Sequence, residues 1–220
     1  MSSPHVFVRQ ATSLDAQAIG DIQARTMRAA LVAATGKRLA PEIEDQLQPE
    51  AFASAWADAI ASPPSAGHLV FSAVSDGQVV GFAALSPTAL RPIEPTPSAA
   101  DVSMDGATGE GARREGSESR DDGEEERGDV VVEITALEVP PAYQRAGHGS
   151  RLLAALAQTA QERGATELQI WLLAGDDAHT AFITAAGFAP AGLRRDLHVG
   201  EELVSQHCWH ALLQQADQDD

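Results

Sequence analysis

Residues 130–163, VVVEITALEVPPAYQRAGHGSRLLAALAQTAQER, constrain the fold more than any other stretch, because three kinds of local order follow one another without a break. Val130, Val131, Val132, Ile134, Leu137 and Val139 are apolar and mostly β-branched, which predicts a strand; their continuity predicts one buried on both faces. Pro140 and Pro141 stop it. Leu152, Leu153, Leu156, Ala157 and Ala160 then recur at helical spacing, and Gly164 supplies the left-handed residue on which helices end. Between strand and helix lies Gln144-Arg145-Ala146-Gly147-His148-Gly149-Ser150. Its glycines let a ligand approach the backbone, and its N–H groups sit at a helix N-terminus, where unpaired donors and the dipole favour an anion. The loop is expected to cradle a pyrophosphate.

The loop is not G-x-x-x-x-G-K-[ST], and the lysine of a triphosphate site is missing. Nor is it G-x-G-x-x-G, which leaves a dinucleotide fold poorly supported. An unrelated nucleotide-binding domain is the remote alternative.

With 44% hydrophobic residues in 220, the chain can build a sizeable core, and a single domain over residues 1–220 is expected. The net charge of −17 repels phosphates, so neither nucleic acid nor an anionic membrane is expected as a partner, whereas a cationic substrate would be attracted. Cys208 is the single cysteine, which excludes a disulfide within the chain and a thiolate metal cluster and suits a reducing compartment. The start MSSPHVFVRQ carries no leader pattern and no apolar run reaches the roughly 18 residues of a membrane span, so the expected location is the cytoplasm.

Val6 to Arg9 reads as a short strand, ended at Thr12 or Ser13, either of which can cap a helix whose apolar face is Ala18, Ile19, Ile22, Ala29 and Val32. Pro41 and Pro49 punctuate the next region, and Glu50 to Ile60 forms an amphipathic helix burying Phe52, Trp56 and Ile60. Residues 68–85 predict a hairpin turning at Asp76-Gly77, with Gly81 marking a bulge or a close backbone approach. Residues 91–129 carry 12 acidic side chains against 5 arginines among Pro, Ser and Gly, and are expected to form a disordered or loosely packed acidic insertion. Ala165 to Leu173 predicts a buried strand, Ala178 to Ala186 a helix begun at Gly175-Asp176-Asp177, and Leu197 to Val199 with His207 to Leu213 two closing strands before a frayed tail, Gln214 to Asp220.

In this order the elements resemble the GNAT superfamily of N-acetyltransferases. The opening Val-Arg-Gln-Ala-Thr, the two-helix region, the hairpin, the loop pattern Q/R-x-x-G-x-G/A between strand and helix, and Phe182-Ile183 running into Gly187-Phe188 all have counterparts there. The resemblance implies an α/β (α+β) fold: one domain with a mixed central sheet flanked by helices and a splayed strand pair at the acyl-CoA site. It implies acetyl-CoA as co-substrate, its pyrophosphate on the backbone amides of Gln144, Arg145, Ala146, Gly147, His148, Gly149 and Ser150 and its pantetheine arm along Leu137, Glu138 and Val139. An N–H near Val139 would stabilise the developing oxyanion. The two helices would wall the acceptor side, although Phe52 and Trp56 are more simply read as core.

The activity implied is direct transfer of an acetyl group to a primary amine, on a small, aminoglycoside-like or peptide acceptor, by a monomer or homodimer; a catalytically silent acyl-CoA-binding module is the alternative. Glu133, a carboxylate in an apolar strand, is the expected base, unless it pairs with an arginine or lines a solvated rim. Glu138 is the second choice, because strand alternation would turn its side chain away from that of Glu133. Many relatives place a proton-donating tyrosine where this chain has Ile183; the thiolate then leaves unassisted, takes its proton from water or His179, or activity has been lost. Tyr143 is expected to brace the loop, Asp176 replaces an asparagine, and the side chain of His148 is expected to be exposed. His198, His207 and His210 lack the spacing of a metal site, and Cys208 lacks a nucleophile's partners, so no metal and no thiol chemistry are expected.

Overall fold

A computed structural model describes residues 5–88 and 130–214. The elements are β1 (Val6–Gln10), α1 (Ala16–Thr35), α2 (Pro41–Glu44), α3 (Pro49–Ala61), β2 (Leu69–Ser75), β3 (Gln78–Pro87), β4 (Val131–Glu138), α4 (His148–Glu162), β5 (Glu167–Leu173), α5 (Asp177–Ala185), β6 (Ala189–Val199) and β7 (Glu202–Leu212). The expected acidic insertion, 91–129, and the tail from residue 215 lie outside the described residues.

The strands form one mixed sheet in the order β1-β2-β3-β4-β5-β7-β6, in which only β4 and β5 run parallel. The β2–β3 hairpin turns on Asp76 and Gly77, both with positive φ (49° and 81°), the tight turn that matches strand twist. Alternate residues of this hairpin serve opposite cores. Phe71, Ala83 and Leu85 pack with Leu152, Leu153 and Leu156 of α4, whereas Val70, Phe82 and Ala84 pack with Ile19 and Ile22 of α1. Each of these side chains larger than alanine, fully buried, is worth about 1.5–3 kcal/mol. On the α1 side Trp56 meets Phe82 edge-on at 5.2 Å and gives its Nε1–H to Gln23, so Trp56 is half-buried packing, as its simpler reading held.

Helices α1 and α3 cross at Gly20, where a β-carbon would lie 2.6 Å from the backbone N of Ala53 and the backbone O of Pro49. Only glycine permits that approach. A capping carboxylate starts this arm: Asp15 is almost wholly buried and accepts from Arg9 (2.6 and 2.9 Å) and from the Thr12 N–H (2.8 Å). The expected apolar face of α1 holds only in its first half. Ala29 and Val32 are exposed, because the helix buries no residue beyond Ala24.

Three further expectations change. Strand β4 is not buried on both faces: Thr135 is exposed, Val132 is half-buried, and Val130, expected to belong to the strand, lies just before it and is exposed. The closing strands run 11 residues each; Arg194, Arg195 and Asp196 lie on an exposed edge, where no apolar alternation is needed to form a strand. Finally, β4 carries a bulge. Leu85 pairs with Ile134 but Ala84 with Ala136, so Thr135 is an extra residue and every side chain after it changes face.

Candidate active site

The bulge reassigns the acids. Glu133, Ala136 and Glu138 pair with Ser86, Ala84 and Phe82, which share one face of β3, so Glu133 and Glu138 both face α1. The expectation that Glu138 points away from Glu133 assumed an unbroken strand and is corrected.

The sheet opens beside these acids. Strand β4 pairs with β5 from Val131↔Glu167 to Ile134↔Ile170 and no further, although β4 continues along β3 to Glu138 and β5 continues along β7 to Leu173. Beyond Ile134, therefore, β4 has a free edge facing a wedge. Two of its carbonyls are engaged by side chains: Leu137 by Nε2 of His179 at 3.1 Å, and Val139 by Nε2 of Gln144 at 2.9 Å. The Val139 N–H has no partner among the described residues.

The chain then passes through a 3₁₀ turn, Pro141–Tyr143, into the loop. Arg145 (φ 63°) and Gly147 (φ 79°) are both left-handed, which curls successive N–H groups inward. Those of Arg145 through Ser150 find no acceptor among the described residues, and they converge on the first turn of α4, a 15-residue helix with its positive dipole end there. Arg151 closes the curl by donating Nη1–H to the Ala146 carbonyl at 3.0 Å. The glycines differ in role. Gly147 supplies the left-handed turn, whereas Gly149 makes room for Phe182 of α5, whose ring would lie 3.4 Å from a β-carbon.

His148 is buried, not exposed, with 4% of its surface accessible. It lies on the stripe His148, Leu152, Leu156, Ala160, each four residues from the next and each buried. Burial and the neighbouring Arg151 charge hold its imidazole below the usual range, and its Nδ1 has no partner among the described residues. The loop thus presents a row of unpaired amides at a helix N-terminus, a donor set suited to phosphate oxygens.

Glu133 is half-buried between Ser86 and Gln169 in register, and burial pushes its carboxyl above the usual range while the charge of Arg195 opposes the shift. No ion pair within 4 Å joins the two among the described residues; Arg195 instead stacks over Trp171 at 4.4 Å and donates to Gln206. Gln169 is fully buried, gives Nε2–H to Glu167 at 2.9 Å and leaves its Oε1 without a partner among the described residues. The buried polar pair Glu167 and Gln169 went unremarked in the sequence, although their alternation within ELQIWLL was the available signal. Glu138 is likewise pushed up by burial, against the His179 charge and the Thr26 hydroxyl. The thiol of Cys208 is pushed up to about 11 by burial and by Glu133 and Glu167, which makes it inert. Ile183 is fully buried in the core and offers no proton.

A cleft of about 450 Å³ starts at Ser150 and runs between α4 and α5, lined by Leu153, Ala157, Phe182 and Leu213. It lies on the α4 face of the sheet, opposite the acids. Among the described residues no helix is long and apolar enough to cross a membrane.

The model of the acetyltransferase (GNAT) family matches residues 36–188, more than half of the chain. No curated protein matches the sequence. Among solved structures, yncA from Salmonella typhimurium, held with its cofactor acetyl-CoA, superposes with a TM-score of 0.58 at 15% identity over 98% of both chains. Arabidopsis thaliana NAA60 in complex with a bisubstrate analogue gives 0.60 at 10% identity, over 96% of this chain and 100% of that one. The ribosomal-protein-alanine N-acetyltransferase of Brucella melitensis gives 0.51 at 20% identity, over 94% and 99%. At these identities the likeness is one of fold.

Proposed function

Because the chain belongs to the GNAT acetyltransferase family, we propose that it is an acetyl-CoA-dependent N-acetyltransferase acting by direct attack of a primary amine. The observation that carries this reading is the run of unpaired amides from Arg145 to Ser150 at the N-terminus of α4, set beside a strand edge that has lost its neighbour. Bound acetyl-CoA supplies an activated acetyl thioester. The amides of Arg145 through Ser150 hold its pyrophosphate; that of Gln144, also expected there, already donates to the Pro141 carbonyl. Along β4, Leu137, Glu138 and Val139 form the bank for the pantetheine arm; with the carbonyls of Leu137 and Val139 engaged, the Val139 N–H is the donor left for an acyl oxygen.

Glu133 takes the proton from the acceptor's ammonium. A carboxyl raised by burial is a better base than an exposed one, and its face of the sheet, toward α1 and α3, is the acceptor side. Holding amine and thioester together contributes up to roughly 7–11 kcal/mol in favourable cases. The net charge of −17 favours a cationic acceptor. The family match spans both sides of residues 91–129, which supports reading 1–220 as one domain carrying an insertion.

The test is release of free CoA across a panel of amines: polyamines, aminoglycosides and peptides with free N-termini. Turnover on at least one cationic acceptor, lowered about 10²-fold or more in Glu133→Gln, is the expected result. A protein that binds acetyl-CoA yet releases none beyond the acceptor-free rate would be the silent module instead.

A further inference from the structure

His179 stands on the first turn of α5, and both of its ring nitrogens face oxygens. Nδ1 lies 3.2 Å from Oδ2 of Asp176, and Nε2 lies 3.1 Å from the carbonyl oxygen of Leu137. A carbonyl only accepts, and so does an ionised carboxylate; a neutral imidazole has one N–H and would set a lone pair against one of the two. The geometry therefore calls for the imidazolium.

The surroundings agree with that state. Asp176, the cap of α5, is fixed by accepting the backbone N–H of His179 at 3.0 Å, and its carboxyl is held below the usual range chiefly by the His179 ring. The titratable groups facing the ring are Asp176 from its own helix cap and Glu138 from β4; the charged form of each favours the second proton while burial opposes it. A cation on the first turn of a helix also opposes the helix dipole. If the ring merely tied α5 to a carbonyl, a neutral donor would do so without that penalty.

Its place in the fold explains the charge. Leu137 belongs to the part of β4 that lies beyond the last β4–β5 pair, so the charged N–H is stationed inside the wedge between the two strands. We propose that His179, anchored by Asp176, is the proton donor to the leaving sulfur, an inference that rests on the acetyltransferase reading above. As the amine nitrogen bonds to the acetyl carbon, the carbon–sulfur bond breaks and its electron pair goes to sulfur. The Nε2–H turns from the Leu137 carbonyl and gives its proton to that sulfur. The ring is left neutral, with its Nδ1–H on Asp176. Glu133 passes the amine's protons to solvent, and one proton from solvent restores the ring. Ammonium and thioester thus become amide, free thiol and one released proton.

Two measurements test this. In the free protein, nitrogen NMR of the His179 ring should show both nitrogens protonated at pH 7, with a midpoint above the ordinary 6.5 that falls in Asp176→Asn. A singly protonated ring at pH 7 overturns the proposal. In turnover, His179→Gln should lower kcat about 10²-fold and abolish the wild-type decline at high pH, while acetyl-CoA still raises the melting temperature. Wild-type turnover with an unchanged high-pH limb in His179→Gln overturns the proton donor alone. A wild type that acetylates nothing overturns the acetyltransferase reading as well, and the ring spectrum still reports whether the charged strut exists.

Discussion

Replacing Gly147 by alanine separates what the loop needs to fold from what it needs to bind. At φ 79° an L-residue costs about 1–2 kcal/mol. The new methyl would also fall 2.8 Å from Nη1 of Arg151 and dislodge the hydrogen bond to Ala146, a further ~0.5–1 kcal/mol. The smaller conformational entropy of alanine in the unfolded chain returns about 0.4–1 kcal/mol, so a net loss of about 1–2 kcal/mol is expected. At about 2–4 °C per kcal/mol for a chain of this size, the melting temperature should fall by about 2–8 °C. The control is Gly149→Ala, where φ is ordinary and the methyl meets Phe182 at 3.4 Å; it should leave the melting temperature nearly unchanged or slightly raised. Scanning calorimetry with and without acetyl-CoA reads both effects. At a hundredfold excess over Kd the ligand should contribute about 2.7 kcal/mol to wild type and clearly less to Gly147→Ala. A Gly147→Ala protein that melts like wild type and responds fully to acetyl-CoA would refute the claim that the left-handed turn shapes the cradle.

Gly20→Ala should destabilise by about 1–3 kcal/mol in urea despite alanine's better helix propensity, because the atoms it meets, at 2.6 Å, are backbone and cannot turn aside. Asp15→Asn removes a charge that accepts from Arg9 and Thr12, and should cost about 1.5–3 kcal/mol at pH 7. Since the folded Asp15 carboxyl lies below its ordinary 3.8, its contribution is complete above that pH and is lost as pH falls through the folded value; urea midpoints of variant and wild type should converge there.

What the sequence made legible was whatever local chemistry decides. The Asp76-Gly77 turn and the left-handed Gly164 follow from φ preferences of single residues, and Gly81 from its lack of a side chain; each stands where expected, and at Gly81 a β-carbon would lie 2.9 Å from the Glu138 carbonyl oxygen. The strand, loop and helix of 130–163 were equally plain. What escaped were features set by a partner strand. The bulge at Thr135 exists only in the pairing of β4 with β3, so the shared face of Glu133 and Glu138 was invisible to alternation counted along one strand. The strut from His179 to Leu137 spans 42 positions and needs the wedge between β4 and β5 to be seen. His148 is a different case: its four-residue step to Leu152 was in the sequence and pointed inward.

The central claim is that the amides of the loop hold the pyrophosphate of an acyl-CoA, and it is tested most directly by titrating ¹⁵N-labelled protein with CoA. The account predicts that the amide signals of Arg145 through Ser150 move most, and that inorganic pyrophosphate moves the same signals at higher concentration. If those signals stay still at saturating CoA while others shift, the ligand is held elsewhere and the account is wrong.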